Sequence, residues 1–325
     1  MSTYLVTGVA GFIASRVADM LLDDGHTVVG IDNMNAAYDV RMKEHRLAQL
    51  QERANFQFHK IDISDWERVE SLAPTLENVD AVINLAARAG VRASVEDPWV
   101  YVDTNVTGTL NLLELCQREA IPKFILASTS SIYGDDAPLP TPETADSSHP
   151  LQSYAASKKG AEAMVHAYHN LYDIDVTVVR FFTVYGPAGR PDMSVFRFVR
   201  WISEGETLRL NGDGTQSRGF TYIDDIARGV ILALKPVGFE IINLGGHENL
   251  TINELIALIE SKVGREAIIE RYPFPAADMK ANLADVSKAG DLLGWEPAVD
   301  MDTGISRTIE WYNANRDWAK EIETG

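Results

Sequence analysis

Short apolar runs alternate with longer stretches of helical spacing over the first two thirds of the chain. Tyr4-Leu5-Val6-Thr7 is a strand-like run ending at Gly8, after which Val17, Met20 and Leu21 keep a helical period as far as Gly25. Thr27-Val28-Val29-Gly30-Ile31 is the next strand, with Asp32 at its carboxyl end. Residues 57–61, 81–85, 123–127 and 176–180 repeat the pattern, separated by helical stretches. Strands alternating with helices predict a parallel sheet covered on both faces, an α/β doubly wound architecture. Ligands are then expected at the carboxyl ends of the strands.

Past Thr183 the texture changes. Residues 183–218 are rich in Gly, Pro, Arg and polar residues and read as loops over a site. Residues 222–235 return to a helix, Glu240-Ile241-Ile242-Asn243-Leu244 reads as one more sheet strand, and 247–325 hold shorter helices. The expected division is therefore a sheet domain of residues 1–182 and 219–246, with a smaller α/β substrate-binding region of 183–218 and 247–325 forming one wall of a cleft. A length of 325 residues suits about two such parts.

Composition narrows the function. Basic residues number 29 and acidic ones 47, giving a net charge of −18. Such a surface repels nucleic acid phosphates, so no nucleic-acid partner is expected. Cys116 has no partner for an intrachain disulfide, and no run approaches the roughly 18 apolar residues of a membrane span. The amino terminus shows no basic-then-apolar leader. Expected is a soluble, cytoplasmic protein without a membrane partner. His166 and His169 lack carboxylate or cysteine companions at ligand spacing, so no metal is expected. Cys116 falls on the apolar pattern of Leu112, Leu113 and Leu115 and reads as core.

Gly8-Val9-Ala10-Gly11-Phe12-Ile13-Ala14 joins the first strand to the first helix. Gly8 permits a tight turn, Gly11 lets backbone approach a pyrophosphate, and Ala14 allows close helix packing. A glycine pattern alone is weak evidence. Its place between strand and helix, with Asp32 ending the next strand, makes it a dinucleotide (Rossmann) site. Asp32 suits two ribose hydroxyls and repels a 2′-phosphate, and Asn33, Met34 and Asn35 bring no cation, so NAD is favoured over NADP. Gly8, Gly11, Phe12, Ile13, Asp32, Asn33 and Asn35 are thus the expected cofactor residues. Asp62 and Ile63 would join them at the adenine edge, and Leu85, Ala86 and Ala87 along the cofactor.

Tyr154 and Lys158 lie at i and i+4 on one helix face. A neighbouring ammonium favours tyrosinate and would lower the phenol's pKa, giving a base for a sugar hydroxyl. The lysine can also hold the nicotinamide ribose. Tyr-x-x-x-Lys alone is common. Here it follows Ser128-Thr129-Ser130-Ser131-Ile132-Tyr133-Gly134, a row of hydroxyls at a strand end.

With these motifs on the page, the chain resembles the extended short-chain dehydrogenases/reductases that act on nucleotide sugars. The resemblance rests on Thr7-Gly8-x-x-Gly11-Phe12-Ile13, Asn84-Leu85-Ala86-Ala87, the 128–134 run, Tyr154-x-x-x-Lys158 and Phe220-Thr221-Tyr222-Ile223-Asp224-Asp225, and spans nearly the whole chain. It implies a catalytic set of Thr129, Tyr154 and Lys158. It also implies Arg218 as a diphosphate contact and Asp278 as a carboxylate near the nucleotide ribose. Members often pair as homodimers through helices corresponding to residues 101–118 and 155–172. Two departures stand out: Ala14 replaces the usual third glycine, and Gly219 follows Arg218 where an acid is usual.

Ser130 and Ser131 stand where related 4,6-dehydratases carry an Asp-Glu pair and related decarboxylases a glutamate, so epimerisation remains. The run Arg180–Met193, with Thr183 where UDP-galactose epimerases usually have asparagine, is similar to epimerases of UDP-glucuronate, as is Ala89-Gly90-Val91-Arg92. The reaction so implied is 4-epimerisation of UDP-glucuronate to UDP-galacturonate by transient C4 oxidation, rotation of the 4-keto sugar and re-reduction with bound NAD. Ser130, Ser131 and Thr183 would meet the sugar, with Arg190 on its carboxylate or on phosphate. Arg197, Arg218 and, less strongly, Arg92 are the diphosphate candidates. A UDP-glucose/UDP-galactose 4-epimerase is the nearest alternative; a nucleotide-sugar-binding protein without turnover and a net oxidoreductase follow.

Overall fold

The apolar runs become strands in the computed structural model, which describes residues 1–246, 248–275 and 278–324. The strands are β1 (Thr3–Thr7), β2 (Thr27–Asp32), β3 (Phe56–Lys60), β4 (Ala81–Asn84), β5 (Lys123–Thr129) and β6 (Asp175–Phe181). They continue as β7 (Thr183–Tyr185), β8 (Thr207–Asn211), β9 (Ser217–Tyr222), β10 (Phe239–Leu244), β11 (Glu248–Thr251) and β12 (Ile268–Tyr272). The main sheet has the order β10-β6-β5-β4-β1-β2-β3, every neighbouring pair parallel. The order reverses between β1 and β4, which opens a crevice at the strands' carboxyl ends.

The longer helices are α1 (Phe12–Asp23), α2 (Arg41–Gln51), α3 (Gly108–Arg118), α4 (Ser153–Tyr172), α5 (Ser194–Glu204), α6 (Ile223–Leu232), α7 (Ile252–Val263) and α8 (Met301–Ala314). Side chains alternate across a strand, and the two faces of the main sheet carry two cores. Val6, Ile83 and Ile125 pack against Val17, Leu21, Ile226 and Val230 of α1 and α6. Leu5, Val82 and Phe124 pack against Leu112, Cys116 and Val165 of α3 and α4. Full burial of each such aliphatic chain contributes about 1.5–3 kcal/mol. Both layers hold the strand ends rigid beneath the crevice.

Residues 183–218 differ from the loops expected of them, because they contain β7, β8 and the eleven-residue helix α5. Val195, Phe198, Val199 and Ile202 fall at i, i+3, i+4 and i+7, an apolar stripe that outweighs the intervening arginines. It packs on Leu255 and Ile259 of α7 and Ile305 and Tyr312 of α8, forming a third core. Gly205 closes α5 in the left-handed conformation at φ 70°. The expected boundary at 218/219 falls inside β9, which lies between β11 and β7 in a separate three-stranded sheet. Among the described residues no helix is long and apolar enough to cross a membrane.

Candidate active site

A cavity of about 880 Å³ follows the carboxyl ends of the main sheet, and every site residue expected from the sequence lines it. At the β1–α1 turn Gly8 has φ 68°, and a Cβ there would stand 2.8 Å from the Ala86 Cα. The Gly11 amide donates to the Gly8 carbonyl at 2.7 Å. Gly11 caps α1 without a side-chain bond, leaving the first amides of the helix for an anion. Asp32 accepts from the Ala10 amide at 3.2 Å and the Met34 amide at 2.8 Å. Asn33 donates to Asp62 at 2.7 Å. Burial pushes the Asp62 carboxyl up, but hydrogen bonds from Asn33 and Ser64 bring it below its ordinary value.

Sequence reasoning missed two cations here. Lys43 of α2 reaches Asp32 at 3.2 Å and Asn35 at 3.3 Å, so the Asp32 carboxylate is paired although nothing basic follows it immediately in sequence. Arg46, one turn further along α2, donates to the carbonyls of Ala188 at 2.7 Å, Gly189 at 3.1 Å and Ala10 at 3.2 Å. It ties the glycine-rich turn to the 186–192 loop. Only tertiary packing brings Lys43 to the cavity and Arg46 to the carbonyls of the two loops.

β5 delivers Thr129 to the cavity, and α4 delivers Tyr154 and Lys158. Gln152 starts α4 by accepting from the Ala155 amide at 2.8 Å. Thr129 also accepts from the Ser131 amide at 3.2 Å, and Asn282, unforeseen from sequence, donates to the Ser130 hydroxyl at 2.8 Å. The Tyr154 ring stands edge-on to Tyr101, with centroids 6.1 Å apart. Burial raises the Tyr154 phenol above its ordinary pKa, while the Thr129 hydroxyl and the Arg190 cation pull it back. This corrects the expectation that Lys158 supplies the lowering. Lys158 is itself buried, which draws its ammonium down to about 8 against the support of Glu162.

Arg190 pairs with Asp192 at 3.1 and 2.5 Å and stands over the Tyr38 ring, 5.9 Å from its centroid. Arg197 stacks 4.6 Å over Trp201; burial, then Arg92 and Arg209, lowers its pKa. Its Nε is buried without a hydrogen-bond partner among the described residues. Arg218 donates to the Met279 carbonyl at 2.7 Å. Arg92 and Asp278, both expected to meet the nucleotide, pair with each other at 2.6 Å. Arg88 and Arg209, also unforeseen, join Arg92, Arg190, Arg197 and Arg218 on the cavity wall. The signal for Arg209 was position, between the buried Leu208 and Leu210 of β8. Gly219 has a packing reason: its amide donates to the Asn282 carbonyl at 2.6 Å, and a Cβ would lie 3.2 Å from Leu283.

A Rossmann sheet, a glycine turn answered by an acidic strand end, and a Thr/Tyr/Lys group under a cationic wall define a nucleotide-sugar oxidoreductase-type site. The chain belongs to the NAD dependent epimerase/dehydratase family, whose model matches residues 4–245. The chain is 53% identical to a UDP-glucuronate 4-epimerase of Thermodesulfobacterium geofontis, over 99% of this chain and 100% of the relative. It superposes on the Bacillus cereus UDP-glucuronic acid 4-epimerase, solved with UDP-glucuronic acid and NAD, with a TM-score of 0.90 at 36% identity, covering 96% of this chain and 99% of that one. A UDP-glucose 4-epimerase of Thermotoga maritima, solved with UDP-glucose, gives a TM-score of 0.89 at 32% identity, covering 97% and 99%.

Proposed function

We propose that this chain is a UDP-glucuronate 4-epimerase, interconverting UDP-glucuronate and UDP-galacturonate with NAD. The observation that carries this reading is the joint placement of Arg190, Ser130, Ser131 and Thr183 on the cavity that also holds Tyr154. Hydroxyl donors and a guanidinium fork suit a carboxylate, and no acid occupies position 130 or 131 to drive elimination. The cofactor fits the residues present. Gly8 and Gly11 offer close backbone approach, and Phe12 and Ile13 the first amides of α1, to a pyrophosphate. Asp32 with Asn33 and Asn35 accepts the ribose, Asp62 and Ile63 take the adenine side, and Leu85, Ala86 and Ala87 with Tyr154 and Lys158 line the rest. In this reading residues 1–182 and 219–246 hold NAD, and 183–218 and 247–325 hold the nucleotide sugar.

When bound there, NAD would supply the hydride acceptor and donor for C4. Tyr154 receives the 4-hydroxyl proton, steadied by Thr129, and later returns it. Lys158 holds the ribose beside it. After the 4-keto sugar turns over, reduction on its opposite face inverts the centre. Arg190 and the hydroxyl row grip the carboxylate out of alignment with the carbonyl, which keeps the β-keto acid from losing carbon dioxide. Arg197, Arg218 and Arg92 meet the diphosphate, and Asp278 the nucleotide ribose. Incubation with UDP-glucuronate followed by NMR tests this: UDP-galacturonate is expected. UDP-xylose, a released 4-keto sugar, or faster turnover of UDP-glucose would overturn it.

The same proposal includes a homodimer in a reducing cytoplasm, where the lone buried Cys116 stays a thiol. Val95, Trp99 and Val102 are exposed on the approach to α3, as are Leu171 and Tyr172 at the end of α4. Burying this apolar surface against a second copy would join the α3 and α4 pairs across a two-fold axis. Sedimentation equilibrium is expected to give twice the chain mass, and a Trp99→Glu variant half of that.

A further inference from the structure

Behind the catalytic pair lies a buried ion pair that the reaction as described leaves unused. Glu162 stands one turn beyond Lys158 on α4, and Arg180 projects from β6; their side chains are 3% and 2% exposed. The guanidinium grips the carboxylate twice, Nε to Oε1 at 2.9 Å and Nη2 to Oε2 at 2.8 Å. Oε1 also accepts from the Ser128 hydroxyl at 2.6 Å, one residue before Thr129. Lys159 reaches Oε2 at 3.4 Å. Arg180 continues to the Tyr133 hydroxyl at 2.8 Å, which donates to Asn243 at 2.7 Å. Desolvating two charges costs so much that apolar replacement of a buried pair is often neutral or stabilising. A pair kept between Lys158 and the strand that carries Thr129 is therefore poorly explained by stability.

We propose that Glu162 is a positioning residue: its carboxylate keeps Lys158 charged and, through Ser128, fixes the end of β5 that presents Thr129. Several charged or titratable groups surround this spot. Tyr154 and Lys159 share the helix; Arg180 comes from β6 and Tyr133 from the turn after β5. Arg88 and Tyr101 come from the segment after β4, and Arg190 from the substrate loop. Glu114 of α3 is engaged with Tyr168 further along α4, and Asp103 is exposed. Burial draws the Lys158 ammonium down, and Glu162 is the group that opposes it. Neutralising Glu162 therefore lowers the pH at which Lys158 loses its proton. Arg180, fully matched by Glu162, serves to hold the carboxylate in place.

The kinetic arm of the test rests on the epimerase reading; a second arm does not. Glu162→Gln and the charge-balanced Glu162→Gln/Arg180→Gln variant are assayed for UDP-galacturonate formation between pH 6 and 10. The expected result is an alkaline limb of kcat/KM moved down by about one pH unit, a roughly ten-fold loss on that limb, with activity near pH 6.5 retained. Glu162→Asp should restore the limb. In parallel the Lys158 13Cε resonance is titrated in full-length, lysine-labelled protein, assigned with Lys158→Arg, and its midpoint should move by the same amount. Equal loss at every pH, or an unmoved Lys158 midpoint in the variant that folds, would overturn the proposal. Wild-type protein that forms no UDP-galacturonate would instead refute the epimerase reading, and the titration would still decide the role of Glu162.

Discussion

Tyr154 and Lys158 are pushed toward neutrality from opposite sides by one cause, burial, which disfavours the charged form of each. The phenol then depends on Thr129 and Arg190 for any gain in acidity, which gives Arg190 an electrostatic effect on Tyr154 besides its proposed grip on the carboxylate. Tyr154→Phe deletes the proposed proton acceptor and keeps the ring against Tyr101. Turnover is expected to fall by about 10²–10⁴, with binding of NAD and UDP-glucuronate unchanged by calorimetry; undiminished product would show that the phenol is not the base. In the wild type, Lys158 loses charge as pH rises through about 8. The alkaline limb of kcat/KM, which reports the free enzyme, should fall there.

At the scale of elements, the β1–α1 turn makes the sharpest demand on sequence. Gly8 combines φ 68° with a Cβ position 2.8 Å from the backbone of Ala86, so any side chain must push β1 and the segment after β4 apart. Gly8→Val is expected to weaken NAD binding at least ten-fold while leaving the main sheet's circular dichroism unchanged; wild-type affinity would refute this role. This turn, Asp32 and the run ending at Thr129 were legible in sequence because each depends on a local strand-to-helix junction. The strands of the main sheet were legible for the same reason, as apolar runs between glycines. α5 was not, since Arg197 and Arg200 interrupt its stripe and the glycine-rich flanks dominate the local texture. Lys43, Arg46 and Glu162 escaped for a different reason. Each acts on a residue from another element, Asp32, Gly189 and Arg180 respectively, and sequence spacing carries no trace of such pairs.

For the whole molecule, the charge of −18 and the proposed substrate's anionic diphosphate and carboxylate are reconciled by local reversal. Arg92, Arg190, Arg197, Arg209 and Arg218 share one cavity wall, with Asp192 and Asp278 beside Arg190 and Arg92. The acidic exterior repels the approaching anion over a distance set by the Debye length, about 10 Å at 0.1 M salt. The cavity arginines attract it only once it is inside, where less water and salt stand between the charges. Raising salt from 0.02 to about 0.2 M should therefore screen the repulsion more than the attraction. The association rate of UDP-glucuronate, followed by stopped-flow fluorescence, is expected to rise with salt, while its dissociation rate changes little. A falling association rate would mean that the arginine wall, rather than the acidic exterior, governs the field at the cleft mouth. The Arg92–Asp278 pair, at side-chain exposures of 50% and 20%, lies where those two fields meet. Asp278→Asn removes the carboxylate that neutralises Arg92, and should raise the association rate at low salt and flatten its salt dependence.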